Sequence, residues 1–132
     1  MWFKGSRVTV RPARAAVVAT TTTRIRFGHL VLCNQFRHPV ITAQSLVTLD
    51  HISDGRSIVG IGAGWTETEF RMTGIPFPPV AERLAMLEES LTCMQSLWVN
   101  ERTNFARKYY QLREASNVAA TDSAAESADL AR

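Results

Sequence analysis

The clearest periodicity in the chain lies between residues 80 and 98, where Val80, Leu84, Leu87, Leu91, Met94, Leu97 and Trp98 recur at three- and four-residue steps. That spacing puts them on one stripe of an α-helix, with Glu82, Arg83, Glu88 and Glu89 on the other side. A second helical period runs through Val40, Ala43, Leu46, Val47 and Ile52. It opens at Arg37-His38-Pro39, where Pro39 suits a first helical position because its missing N–H would have no partner there. It stops at Ser53-Asp54-Gly55, where Gly55 is free to take the left-handed conformation that ends a helix. Two short apolar runs flank this helix. Residues 24–33 begin with alternation at Ile25 and Phe27 and become continuously apolar from Leu30 to Cys33, as a strand buried on both faces does. Ser57-Ile-Val-Gly-Ile-Gly-Ala63 reads as a second buried strand, closing in Gly64-Trp65. Strand, helix, strand makes a βαβ unit, and parallel strands joined in this way belong to a sheet covered by helices.

Phe105 and Tyr109-Tyr110-Gln-Leu112 predict a weak hairpin, whose turn at Ala106-Arg107-Lys108 lacks the Gly or Asn that tight hairpins favour. The pattern divides the chain into an irregular or weakly helical stretch over 1–22, a folded α/β domain over 23–114, and a flexible Ala/Ser-rich tail over 115–132. A βαβα unit leaves strand edges and apolar helix faces uncovered. It calls for more of the same sheet, or for self-association through those edges.

Composition narrows the class. With 132 residues, 45% of them hydrophobic, the chain can bury one modest core. No apolar run reaches the length of a membrane span and the start lacks a secretory core, so a cytoplasmic location is expected, with no membrane partner. The net charge of +3 is uneven: Lys4, Arg7, Arg11, Arg14, Arg24, Arg26 and Arg37 all precede the first acid, Asp50. A transit peptide, a phosphate-binding arm or a small basic nucleic-acid module would each use such a start. No nucleic-acid motif or aromatic interleaving accompanies it, so no nucleic-acid partner is expected. Cys33 and Cys93 have no metal-ligand spacing and read as buried free thiols.

Gly60-Ile-Gly-Ala-Gly64 has the spacing GxGxG rather than GxGxxG, and no acidic strand end follows it, which argues against a dinucleotide fingerprint. The glycines instead leave a strand end bare of side chains, which would let a flat ring approach the backbone; tight packing of the strand is the alternative. His29 and His51 read as packing or surface residues. His38, at the junction just past a strand's C-terminal end, is the catalytic candidate, with a helix-start role as its alternative. Glu67 and Glu69 could orient a substrate there, or simply open a helical turn.

Taken in order, Thr23-Arg-Ile-Arg-Phe-Gly28, Cys33-Asn-Gln-Phe-Arg-His-Pro39, Thr48-Leu-Asp-His-Ile-Ser-Asp-Gly-Arg56, Gly60-Ile-Gly-Ala-Gly-Trp65 and Gly74-Ile-Pro-Phe-Pro78 resemble the middle of a luciferase-like monooxygenase, of the coenzyme F-420-dependent branch. The resemblance implies a partial (β/α)8 TIM barrel, with residues 24–33 as its third strand and 57–63 as its fourth. It implies a flavin- or deazaflavin-dependent oxidoreductase that binds coenzyme F-420, or alternatively FMN, and acts on a small-molecule substrate. By similarity, a bulge with a non-prolyl cis peptide near Val31, Leu32 and Cys33 backs the ring, Asn34 follows it, and Gly62, Ala63 and Gly64 lie beside it. Trp65 stands where some relatives carry a catalytic carboxylate. The remaining strands, and with them the loops that hold the cofactor's phosphate, are not matched in this sequence, so an inactive remnant is the alternative expectation.

Overall fold

The computed structural model describes residues 11–117. Helix α1 (Arg11–Thr21) is followed by strands β1 (Phe27–Gly28) and β2 (Leu32–Cys33), a 3₁₀ turn (Asn34–Phe36) and helix α2 (Pro39–Ser53). Strands β3 (Ser57–Ile58) and β4 (Ile61–Gly62), helices α3 (Glu67–Thr73) and α4 (Val80–Val99), and strands β5 (Thr103–Ala106) and β6 (Gln111–Ala115) complete the order. β1 pairs with β3 and β2 with β4, both in parallel, so α2 is the crossover of the expected βαβ unit.

The two long strands read from the sequence are each broken into two short segments. Phe27 sits opposite Ser57, whereas Leu32 sits opposite Ile61. The register therefore slips by one residue between the ladders, and His29, Leu30 and Val31 face only Val59 and Gly60. This is a β-bulge, in which the extra residue leaves the pleat and re-aims its neighbours. It overturns the expectation that Leu30 to Cys33 is buried on both faces. Leu32 is 4% exposed, but Leu30 is 97% exposed and Val31 38%.

Residues 11–21, expected to be irregular or weakly helical, form a regular helix docked on α2 through Ala15, Ala19 and Leu49. Its last carbonyls are not left bare. Thr20, Thr21 and Thr22 hydroxyls donate back to Ala16, Val17 and Val18, and Arg56 donates to Ala19. Residues 1–10 of the expected N-terminal segment and residues 118–132 of the expected tail lie outside the described residues.

α2 ends where the sequence indicates, but the left-handed conformation falls first on Asp54 (φ 53°) and then on Gly55 (φ 71°). In α4 the buried face is rotated by about one residue from the expected stripe. Arg83, Ser90, Cys93, Met94 and Leu97 are buried, while Val80, Leu84 and Leu91 are more than 40% exposed. Periodicity finds the helix; its neighbours choose the face. Cys93, Met94 and Leu97 meet Ala43 of α2 and Phe105 and Tyr110 of the hairpin in the main core. Burying Met94 or Leu97 contributes roughly 1.5–3 kcal/mol each, so this three-way joint holds the βαβ unit against the hairpin.

The hairpin is better formed than its turn residues suggest. Arg107 N–H donates to the Tyr110 carbonyl at 3.1 Å, and the Glu89 carboxylate accepts from the backbone N–H groups of Tyr109 and Tyr110 at 2.8 and 2.7 Å. Glu89, expected on the exposed side of its helix, thus supplies from outside what an Asn-Gly turn would supply locally.

Candidate functional site

The C-terminal ends of the parallel strands, the face on which barrels place their chemistry, are formed by the bulge, the 3₁₀ turn and the segment 62–65. The bulge is seated on glycines. A Cβ on Gly60 would run into the backbone carbonyl oxygen of His29 and lie 3.1 Å from Cγ1 of Val31; one on Gly62 would lie 2.9 Å from Cγ2 of Val31. The space that these two glycines leave is therefore taken by Val31 itself. The strand ends are thus packed by Val31 and not left bare as expected: Val31, with Gly60 and Gly62 behind it, and the neighbouring Leu30 form an exposed apolar surface. The Leu30–Val31 peptide is cis, at the edge of the neighbourhood that the resemblance implied.

Gly64 is a glycine for a different reason. Its φ is +74°, and a Cβ there would sit 2.7 Å from the Phe70 ring and 3.0 Å from the Cys33 sulfur. Phe70, 1% exposed, packs between Phe36 and Phe77 in tilted ring contacts at centroid distances of 4.9 and 4.8 Å, and the Arg83 guanidinium lies 3.9 Å over Phe77 while donating to the Pro78 carbonyl. Arg83, expected on the solvent side of α4, is buried by this stack. The ladder of rings underlies the strand ends and locks the Gly74–Pro79 excursion against them.

Cys33 and Ala63 are half-buried. The Cys33 thiol donates to the Gln35 side-chain carbonyl at 3.4 Å, and burial holds its pKa above the ordinary thiol value, opposed by backbone hydrogen bonds at Gln35 and Phe36. It is a packed thiol and not an activated nucleophile. Asn34 is buried, and its amide donates to the Tyr110 hydroxyl at 3.1 Å. Burial raises the Tyr110 pKa, with the Asn34 hydrogen bond acting against it.

His38 caps α2: its Nδ1 accepts from Val40 N–H at 3.3 Å, and its ring meets Tyr110 edge-on at 5.6 Å. The helix-start role is thus occupied by one ring nitrogen. Trp65 is 88% exposed just past Gly64. Glu67 and Glu69 open α3, both exposed. Among the described residues no group of His, Cys, Asp and Glu could hold a metal. Tyr110, Glu89 and Phe70 were not singled out from the sequence as site residues; the Tyr109-Tyr110 pair was its only local signal.

The model of the luciferase-like monooxygenase family matches residues 7–125. The chain belongs to that family. Among its luciferase-like relatives, the F420-dependent glucose-6-phosphate dehydrogenase of Amycolatopsis mediterranei (strain U-32) is 37% identical over 99 residues, covering 74% of this chain and 30% of that protein. The enzyme of the same description from Mycobacterium avium (strain 104) is 38% identical over 102 residues, 75% of this chain and 30% of its own length. The chain thus spans about 30% of the length of these relatives. An F420-dependent secondary alcohol dehydrogenase in complex with an F420-acetone adduct superposes with a TM-score of 0.73 at 28% identity, over 80% of this chain and 32% of that one. The FMN complex of the oxygenating constituent of 3,6-diketocamphane monooxygenase, from the CAM plasmid of Pseudomonas putida, superposes with a TM-score of 0.69 at 28% identity, over 77% of this chain and 28% of that one. The α/β architecture is that of a partial luciferase-like (β/α)8 barrel, with no closed barrel among the described residues. No helix among them is long and apolar enough to cross a membrane.

Proposed function

We propose that this chain forms the third- and fourth-strand portion of a ring-binding oxidoreductase site that takes coenzyme F-420, with FMN as the second candidate, and serves a small organic substrate. The observation that carries the reading is an apolar shelf at the strand ends, made of Val31 seated on Gly60 and Gly62 and of the exposed Leu30 beside it. A flat heteroaromatic ring is best received by an apolar wall with few polar groups nearby, and a side chain seated on two glycines is a wall that cannot retreat. When bound, the deazaflavin supplies hydride transfer. Val31 and Leu30 would support its face, while Gly62-Ala63-Gly64 would border it without projecting large side chains. Glu67 and Glu69 are the carboxylates placed just beyond Trp65 that could orient a substrate.

The F-420 preference draws on the relatives, which are F420-dependent dehydrogenases. A ring held by the shelf alone is expected to bind with a Kd of roughly 0.1–1 mM, about −5.5 to −4 kcal/mol. Fluorescence titration of the full chain with F-420 and with FMN tests this. Saturable binding that Leu30→Asp abolishes supports it, and no binding of either ring at millimolar concentration would sink it.

Self-association is a second reading. It is favoured by β1 to β4 forming only two-stranded ladders among the described residues, beside the exposed Ile58, Val59 and Trp65. Sedimentation as a monomer with one cooperative thermal transition would count against it.

A further inference from the structure

Elements that are distant in sequence converge on one residue. Tyr110 comes from the hairpin, is 8% exposed, and is part of the main core. Its hydroxyl receives the Asn34 amide at 3.1 Å, and its ring receives the edge of His38 at 5.6 Å. Asn34 and His38 bracket the turn that carries the chain from β2 into α2. That turn begins directly after Cys33, two residues beyond Val31. Tyr110 is itself held at its backbone by Glu89 of α4. Short 3₁₀ turns, with poorer hydrogen-bond geometry than the α-helices around them, open more readily; here the bond that closes the turn, from Arg37 N–H to the Asn34 carbonyl, is long at 3.4 Å.

We infer that Tyr110 is a positioning residue for the ring site: through Asn34 and His38 it fixes the turn that anchors the C-terminal side of the Leu30–Val31 shelf. The inference rests on the ring reading above, but its first half concerns the turn alone. Hairpin and α4 thereby become part of the site without touching a ligand. Removing the hydroxyl leaves the ring contact with His38 in place and strands a buried amide at Asn34, which loosens the turn while the core cluster stays filled.

The test is Tyr110→Phe in the full chain, read by amide exchange of peptides covering 30–38 and 80–99 and by F-420 titration. The expected result is faster exchange in 30–38, unchanged protection in 80–99, and a three- to tenfold weaker F-420 Kd, about the effect of one neutral hydrogen bond. Unchanged exchange in 30–38 overturns the inference. So does equal acceleration in both peptides, which would make Tyr110 merely a core residue, and so does local loosening with an unaltered Kd. If the unsubstituted chain binds neither F-420 nor FMN, the ring reading fails and the positioning role toward it falls too, while the exchange pattern still decides whether Tyr110 holds the turn. Should Tyr110→Phe not fold, Asn34→Ala removes the same hydrogen bond from the other end and is read by the same criteria.

Discussion

Replacing Gly60 by alanine probes the shelf from below. The new methyl would collide with the His29 carbonyl oxygen, a backbone atom that cannot rotate away, and would press on Val31 Cγ1 at 3.1 Å. Overpacking of this kind costs about 1–3 kcal/mol, and a collision with backbone belongs at the upper end. The loss of chain entropy in the unfolded state returns about 0.4–1 kcal/mol. The net expectation is a destabilisation of about 2 kcal/mol. Gly62→Ala is the instructive contrast, because its methyl meets only the Val31 side chain, at 2.9 Å. Val31 is partly exposed and can turn outward, so the two effects nearly cancel at roughly 0–1 kcal/mol, while the shelf itself moves. Gly55→Ala is the conformational control. Nothing lies within 4 Å of its Cβ, but its φ is +71°, which costs an L-residue about 1–2 kcal/mol. Urea unfolding of the three variants, compared by midpoint at constant slope, measures the order. If Gly60→Ala unfolds within 0.5 kcal/mol of the parent, or if Gly62→Ala costs more than Gly60→Ala, the glycines do not seat Val31 and the argument for a fixed shelf fails.

Other parts of the structure make separate predictions. Arg56 donates to Ser53, Ala19, Thr22 and Ile25 at 2.7–3.1 Å, tying the end of α1 to the start of β3; Arg56→Lys keeps the charge but not the fork, and thermal melts should show a loss of about 1.5–3 kcal/mol. Glu89→Ala strands two backbone donors at the hairpin turn and should cost about 2–3 kcal/mol in urea, with Glu89→Gln recovering part of it. Burial raises the pKa of Cys33, Cys93 and Tyr110 alike. Their neutral forms are favoured in the folded state, so this contribution is intact at neutral pH and is lost as pH climbs through the ordinary thiol and phenol ranges. Urea midpoints measured from neutral to strongly alkaline pH should fall, and Cys93→Ala should flatten the fall; a midpoint that rises with alkalinity would contradict the sign.

Much of the architecture is legible in single-chain patterns because its causes are local. The three-four spacing through Met94 and Leu97, Pro39 at a helix start and Gly55 just past its end, and the apolar runs on either side of α2 are determined within a turn or two of themselves. The family, too, is carried by short ordered segments from Thr23 to Tyr110. What depends on a distant partner is not readable in this way. The face that α4 buries is set by Phe77, which draws Arg83 inward, and by the hairpin, which draws Glu89 to its turn. The slip of one residue between β1 and β2 exists only relative to β3 and β4, since a register is a property of two strands. That slip turns Leu30 outward and places Val31 over Gly60 and Gly62, so a run that looks like continuous core becomes the surface of the candidate site. Apolar sequence by itself marked residues 30–33 as strand; only the pairing across the sheet decided which of them face inward and which stand exposed.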